Sequence, residues 1–123
     1  MKMPKWKKAP TELVKTFHAV LPDDTRIEAR KMFGFDCAFT GGNMFTGLCP
    51  LGMIVRLPDD ERERLLALPG ASRFEMRGRV MREYAVVPEA MTKDPRKLRA
   101  WVARSFAYAQ SLPTKASKKP ARR

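Results

Sequence analysis

The chain is poor in the residue types that most often carry catalysis or bind metals: its 123 residues include one histidine and two cysteines. His18 has no serine or cysteine near it in sequence, and we interpret it as a partly exposed structural histidine. No Cys-x-x-Cys or His-x-x-x-His spacing occurs, and no glycine-rich phosphate loop is present. We therefore predict no catalytic residue, no metal, no cofactor and no enzyme activity.

The two cysteines are too few for a disulfide framework. If Gly41 and Gly42 form a two-residue hairpin loop, Cys37 is expected to face Thr46, and Cys49 then lies on the opposite face of the sheet. Two free thiols are expected, as in a cytosolic protein.

Long apolar runs are missing as well. None approaches the roughly 20 residues that a helix needs to cross a bilayer. The start of the chain, MKMPKWKKAP, is charged but is not followed by an apolar block, so it does not have the pattern of a secretion signal. We expect a cytoplasmic protein that does not enter a membrane.

Acidic residues are absent from both ends of the chain. Of the net charge of +12, residues 1–10 carry +4 and residues 114–123 carry +5, which leaves +3 for residues 11–113. We predict a basic flexible arm, a nearly balanced folded domain and a disordered basic tail over these three ranges. The basic residues of the tail are Lys115, Lys118, Lys119, Arg122 and Arg123.

The sequence does contain the pattern of an antiparallel sheet. Gly41 and Gly42 separate two apolar-rich runs, and a Gly-Gly pair tolerates the positive φ values of a tight hairpin turn. This predicts paired strands at Phe35–Thr40 and 43–48, with a third strand at 53–57.

Predicted helices precede and follow this meander. Prolines and acidic residues in a first helical turn, and cap residues before it, mark their starts. Three helices are predicted: the first at 11–21 with Thr11 as its cap, the second from Pro58, and the third from Asp94 and Pro95 to about 112. Further strands are predicted at 73–76 and 81–87, and an extended lead-in or edge strand at 26–33. The result is a two-layer α+β domain with an antiparallel sheet, in the order α-β(3)-α-β(2)-α.

This order, together with several short phrases, resembles the TfoX/Sxy N-terminal domain family. The likeness covers about residues 12–113. The phrases are Lys31-Met32-Phe33-Gly34, Gly42-Asn43-Met44-Phe45, Leu65-Leu66-Ala67-Leu68-Pro69-Gly70-Ala71, Met81-Arg82-Glu83-Tyr84, Val87-Pro88, and Trp101 with Ala107-Tyr108-Ala109 and Ser111-Leu112-Pro113.

The resemblance implies a fold like that of secretion chaperones, often dimeric. The full-length relatives are regulators of natural competence with a second, C-terminal domain, whereas only the basic tail follows Pro113 here. The resemblance supplies no catalytic residues.

Four basic residues of the folded part form a candidate anion or nucleic-acid site: Lys31, Arg77, Arg79 and Arg82. Arg77 and Arg79 flank a glycine in a predicted loop, a natural place for an anion contact. The alternative is solvated charge near a turn, with Arg79 or Arg82 pairing Glu75 or Glu83 across strands.

A candidate protein interface follows from strand alternation. Alternation puts Phe45 on the face away from the predicted core, where a partner subunit or a tail helix has to cover it. Met44 and Met53 join it as adaptable interface residues, although filling gaps in the core is the default role of methionine.

Two functional hypotheses remain. The first is a non-catalytic regulatory or protein-interaction module, with a protein partner or a second copy of the chain as its target. The second is a nucleic-acid accessory protein that binds without sequence preference through its basic tails.

Overall fold

The computed structural model describes residues 9–76 and 78–114. Within them the chain forms three α-helices and six strands, which confirms the α+β class. In chain order the elements are α1 Thr11–Val20, β1 Glu28–Met32, β2 Phe35–Thr40, β3 Asn43–Cys49, β4 Gly52–Arg56, α2 Asp59–Leu66, β5 Ser72–Met76, β6 Arg79–Val86, a 3₁₀ helix Glu89–Lys93, and α3 Pro95–Gln110. The strands form one antiparallel sheet in the order β1-β2-β3-β4-β6-β5.

Of the three described α-helices, only α3 begins with a side-chain cap. At α3 the side chain of Asp94 accepts a hydrogen bond from the backbone N–H of Lys97, and Pro95 occupies the first turn, as predicted. At α1 the prediction that Thr11 is the cap is wrong. Thr11 is the first helical residue, and Pro10 precedes it without a side-chain cap.

The segment predicted as a lead-in or edge strand is strand β1, at one edge of the sheet. Four strands therefore precede α2, one more than in the predicted order α-β(3)-α-β(2)-α. All five residues of β1 are exposed, which explains its weak apolar pattern.

The hairpin at Gly41 and Gly42 has the predicted geometry. Their φ values are +59° and +80°, the two positive angles of a type I′ turn. Beside the turn, Phe39 pairs with Met44 as expected, but one step further Ala38 pairs with Thr46. An extra residue in β3, Phe45, makes a β-bulge there.

The bulge corrects the prediction for the cysteines. Cys37 is paired with Gly47 and not with Thr46. Because Cys49 is two residues beyond Gly47, it lies on the same face as Cys37 and not on the opposite one. Both thiols are free and buried, and the expectation of free thiols is confirmed.

The predicted interface is also wrong, because the helices cover the face of the hairpin that carries Ala38 and Phe45 and not the face that carries Met44. Phe45 is fully buried under α3, where its ring centroid is 5.3 Å from that of Phe106. Met53 is fully buried in the same core. Met44 alone is partly exposed, and it packs on the other face of the sheet. The three residues therefore do not form one exposed surface, and a helix of the same chain covers Phe45.

The two faces of the sheet are buried by different elements. One face and the helices form the main core, which includes Phe17 of α1, Leu65 of α2 and Leu98 of α3. On the other face a smaller cluster contains only strand residues. Its members are Cys49, Ile54, Phe74 and Val86, with Met44, Met81 and Tyr84 packed against them.

Candidate binding cleft and its surroundings

A cleft of about 670 Å³ opens at one end of the sheet, between α1, the turn from β3 to β4, the start of β5 and the 3₁₀ helix. The buried residues Met53, Val86 and Val87 contribute to its lining and supply an apolar floor. Leu13 of α1 and Leu51 of the turn add apolar walls. A cleft with this lining suits an apolar side chain or a short peptide segment.

The rim of the cleft is polar and carries three charged residues. Glu12 belongs to α1, and Glu89 and Lys93 belong to the 3₁₀ helix. Across the part of the chain that the structure describes, neither carboxylate has an ion-pair partner. The rim therefore presents a net negative charge to a ligand.

Gly70 allows the backbone to close this end of the sheet. Its φ is +89°, and an added Cβ would lie 3.3 Å from Cβ of Pro88. A side chain here would be strained by the backbone angle and crowded by the proline. Glycine therefore lets the loop before β5 run close to the segment that follows β6.

The turn between β1 and β2 lies at the same end of the sheet as the cleft. Phe33 and Gly34 have φ values of +54° and +84°, and Phe33 is 80% exposed. A large side chain in the left-handed region costs about 1–3 kcal/mol, and such a residue is a candidate for function. Met32, the residue before it, and Leu51, in the turn from β3 to β4, are also exposed at this end of the sheet, and we call these three residues the tip surface.

Sequence reasoning had not singled out the tip surface. Two adjacent strands joined through Phe33 and Gly34 were a usable signal, because a two-residue connection requires positive φ values and only one of the two residues is glycine. The cleft gave no comparable signal, since its lining comes from segments far apart in sequence.

The basic residues predicted as one site are not brought together. Lys31 lies on β1 and Arg82 on β6, with β2, β3 and β4 between those strands. Lys31 is also next to the β1–β2 turn at the cleft end, whereas Arg82 is in the middle of β6. Arg77 lies outside the described residues, as do the predicted tail residues Lys115, Lys118, Lys119, Arg122 and Arg123.

The ion pairs in the structure also differ from the cross-strand pairs predicted for this group. Glu83 pairs with Arg56 at 2.7 Å and not with Arg82. Arg79 and Arg82 are both exposed, and among the described ion pairs neither has a partner. They remain solvated cations on β6.

His18 is partly exposed, as predicted. Its Nε2 lies 2.7 Å from Oδ2 of Asp36 on β2, and the side chain is 46% exposed. Its ring also meets Phe17 edge-on. The histidine therefore ties α1 to the sheet.

The two thiols are poor nucleophiles in this fold. Burial, aided by Asp36 and Cys49, raises the pKa of Cys37 to about 11. Burial also raises the pKa of Cys49. The reactive thiolate is therefore disfavoured at neutral pH.

The described residues contain no group of three or more histidine, cysteine or acidic side chains arranged to hold a metal ion. In the same part of the chain, no helix has the length and apolar character needed to span a bilayer.

A family model described as the TfoX N-terminal domain matches residues 20–109, from the end of α1 to the last turn of α3. No curated protein and no solved structure matches the chain.

Proposed function

The chain belongs to the TfoX N-terminal domain family, and from this premise we propose that it is a non-catalytic, competence-regulator-like module that docks a protein partner at the tip surface and the adjoining cleft. The partner is a protein that presents an apolar patch. A second copy of this chain also meets that description. The observation that carries the proposal is Phe33, whose ring is exposed on a backbone angle that large residues avoid.

The physical argument concerns what Phe33 costs the free domain. Asparagine or glycine would fit this turn with less strain, and an exposed ring gains nothing from burial. Aromatic anchors that enter a pocket of a partner recover such a cost as binding energy. Two further exposed apolar residues lie at the same end, and together with the cleft they give the anchor a surface around it.

The test compares four forms of the full chain as bait in cell extract. They are the wild type, Phe33→Asn, Leu51→Lys and the control Val80→Lys. Val80 is 45% exposed and lies at the opposite end of the sheet. We expect a partner that wild type and control retain and that both tip variants lose, with the same ranking when the purified partner is titrated by calorimetry.

Phe33→Asn separates binding from folding. Asparagine tolerates the left-handed region, so this variant should be at least as stable as wild type while binding is lost. Where the partner is a second copy, sedimentation should show a dimer for wild type and a monomer for Phe33→Asn. Equal binding by all four forms would contradict the proposal.

A second function, as a nucleic-acid accessory protein, is favoured by where the chain leaves the fold. Asn43 donates a hydrogen bond of 3.0 Å to the carbonyl oxygen of Pro113, which fixes the end of α3 beside the β2–β3 turn. The +5 tail therefore starts at the same end of the sheet as Arg79 and the β5–β6 turn.

Salt dependence tests this second function. Five neutralised phosphates on duplex DNA predict a slope of about −4.5 in a plot of log affinity against log salt. Replacing the five basic tail residues by glutamine in the full chain should abolish the slope, whereas Lys31→Gln should leave it unchanged. An unaltered slope after the tail replacement would contradict a role for the tail.

A further inference from the structure

We propose that the cleft binds the N-terminal arm of the same chain, residues 1–8, with Trp6 on the apolar floor and the neighbouring lysines at the acidic rim. The inference deepens the proposed function by naming what fills the cleft when no partner is present. It rests on that function only in taking the cleft as a binding site.

The first step is position. Pro10 is one of the residues that line the cleft, and Ala9 packs against the main core. The arm therefore begins at the wall of the cleft. Trp6 is four residues before Pro10, a distance of at most about 14 Å along an extended chain, so it can reach the floor.

The second step is shape and polarity. An indole ring buries a large apolar area and carries one N–H donor, so it needs an apolar site with polar groups nearby. The floor supplies Met53, Val86 and Val87, and the hydroxyl-bearing residues Thr16 and Thr92 also line the cleft.

The third step is charge. The arm has four lysines and no acid, at Lys2, Lys5, Lys7 and Lys8. The charged residues that line the cleft are Glu12, Glu89 and Lys93, and the two carboxylates have no ion-pair partner in residues 9–76 and 78–114. An arm of opposite sign is held close to this rim by the chain itself, so binding has a high effective concentration.

Tryptophan fluorescence tests the proposal directly. The chain has two tryptophans, and Trp101→Phe in the full chain leaves Trp6 as the single reporter. We expect a blue-shifted emission and severalfold slower acrylamide quenching than for the same chain in urea. Leu51→Lys, on the cleft wall, should return both signals to the unfolded values, and the matched control Val80→Lys should change neither.

A second variant distinguishes loss of binding from a folding effect of Leu51→Lys. It combines Glu12→Lys and Glu89→Lys, which reverses the charge of the rim and leaves the floor intact, and it should raise the quenching rate of Trp6. Glu75→Lys, an exposed position on β5, is the matched control. Circular dichroism confirms that each variant is folded.

Three outcomes overturn the proposal. Quenching of Trp6 as fast as in urea shows that the arm is free. Protection that survives both sets of cleft variants assigns Trp6 to another site. Protection that is lost on dilution assigns the bound arm to a second copy. None of these readouts involves a partner protein, so a failure here leaves the docking proposal standing, and a failed partner screen leaves this one standing.

Discussion

In the part of the chain that the structure describes, both faces of the sheet bury apolar side chains, but helices cover only one of them. On the helix-covered face, Phe45, Met53 and Val55 are fully buried beneath elements from distant parts of the chain. On the other face, Ile54 and Phe74 are 2% and 5% exposed, although each member of that cluster comes from a strand.

Among the described residues, only strand side chains form the cluster on the second face. Register shifts occur in the β2–β3 pair and in the β5–β6 pair, and bulges bend strands and increase their twist. Little apolar surface is left on either face for a partner, and the exposed apolar side chains are found at turns and edges.

The largest expected effect tests which face of the β2–β3 hairpin the helices cover. Phe45→Ala removes a fully buried ring from beneath α3 and should lower the free energy of unfolding by about 3–5 kcal/mol. Met44→Ala is the matched neighbour, partly exposed on the other face, and should cost less. Urea unfolding of both variants measures the difference.

The face chosen from the apolar pattern of the hairpin makes the opposite prediction for this pair. If the helices covered the face that carries Phe39, Met44 would face the helices and Phe45 would face away from them. A larger loss for Met44→Ala than for Phe45→Ala would therefore contradict the observed placement of the helices.

The next effect concerns close packing on the face without helices. A Cβ at Gly47 would lie 2.9 Å from Sγ of Cys37, closer than side chains pack. Gly47→Ala should therefore cost about 1–3 kcal/mol of stability. Adding Cys37→Ala removes the sulfur and leaves an ordinary contact of 3.5 Å to Cβ of Cys37, so it should recover part of the loss.

If the losses of stability from Gly47→Ala and Cys37→Ala simply add in the double variant, the predicted clash between the new methyl group and Sγ of Cys37 is contradicted. Cys37→Ala alone serves as the control, because it removes the sulfur without adding a methyl group at Gly47. The denaturant midpoints of the wild type and the three variants are enough to decide.

The sequence predicted the elements whose signals are local. The Gly41 and Gly42 turn requires positive φ, and Asp94 with Pro95 satisfies the first turn of α3. The choice of the face that the helices cover has no such signal. Both faces of the hairpin carry apolar residues, and only the contact with Phe106, some sixty residues later, shows that Phe45 faces α3.

The candidate site could not be predicted for the same reason. Leu13, Leu51 and Val87 are unremarkable apolar residues one by one, and only the fold brings them to one cleft. The prediction of one basic site was wrong for the converse reason. Lys31 and Arg82 have similar chemistry, but three strands of the sheet lie between the strands that carry them.

The third prediction uses the pH dependence of the buried face. The pKa of the Cys37 thiol is about 11 in the folded protein against an ordinary value of 9.0, chiefly because of burial. The folded state therefore holds this proton more tightly, so its contribution to stability is complete below pH 9 and is lost between pH 9 and 11.

Cys37→Ser does not titrate in this range and gives the matched comparison. Stability of the wild type should fall more steeply than that of Cys37→Ser as the pH rises from 9 to 11. Parallel curves would show that Cys37 is as accessible in the folded chain as in the unfolded one.

The smallest expected effect lies at the edge of the face without helices. The guanidinium of Arg30 on β1 lies 4.1 Å from the ring centroid of Phe39, a cation–π contact worth about 0.5–1 kcal/mol at an exposed site. Arg30→Gln should lower stability by that amount, and Lys31→Gln, the next residue on the exposed strand, should have almost no effect. Phe39 belongs to β2 and is 7% exposed, so loss of the contact should loosen β2 in particular. Arg30→Gln should therefore increase the rate of hydrogen exchange more in β2 than in β4. Equal losses for the two variants would mean that charge alone matters at this edge, and that the face without helices is closed by its apolar side chains and not by Arg30.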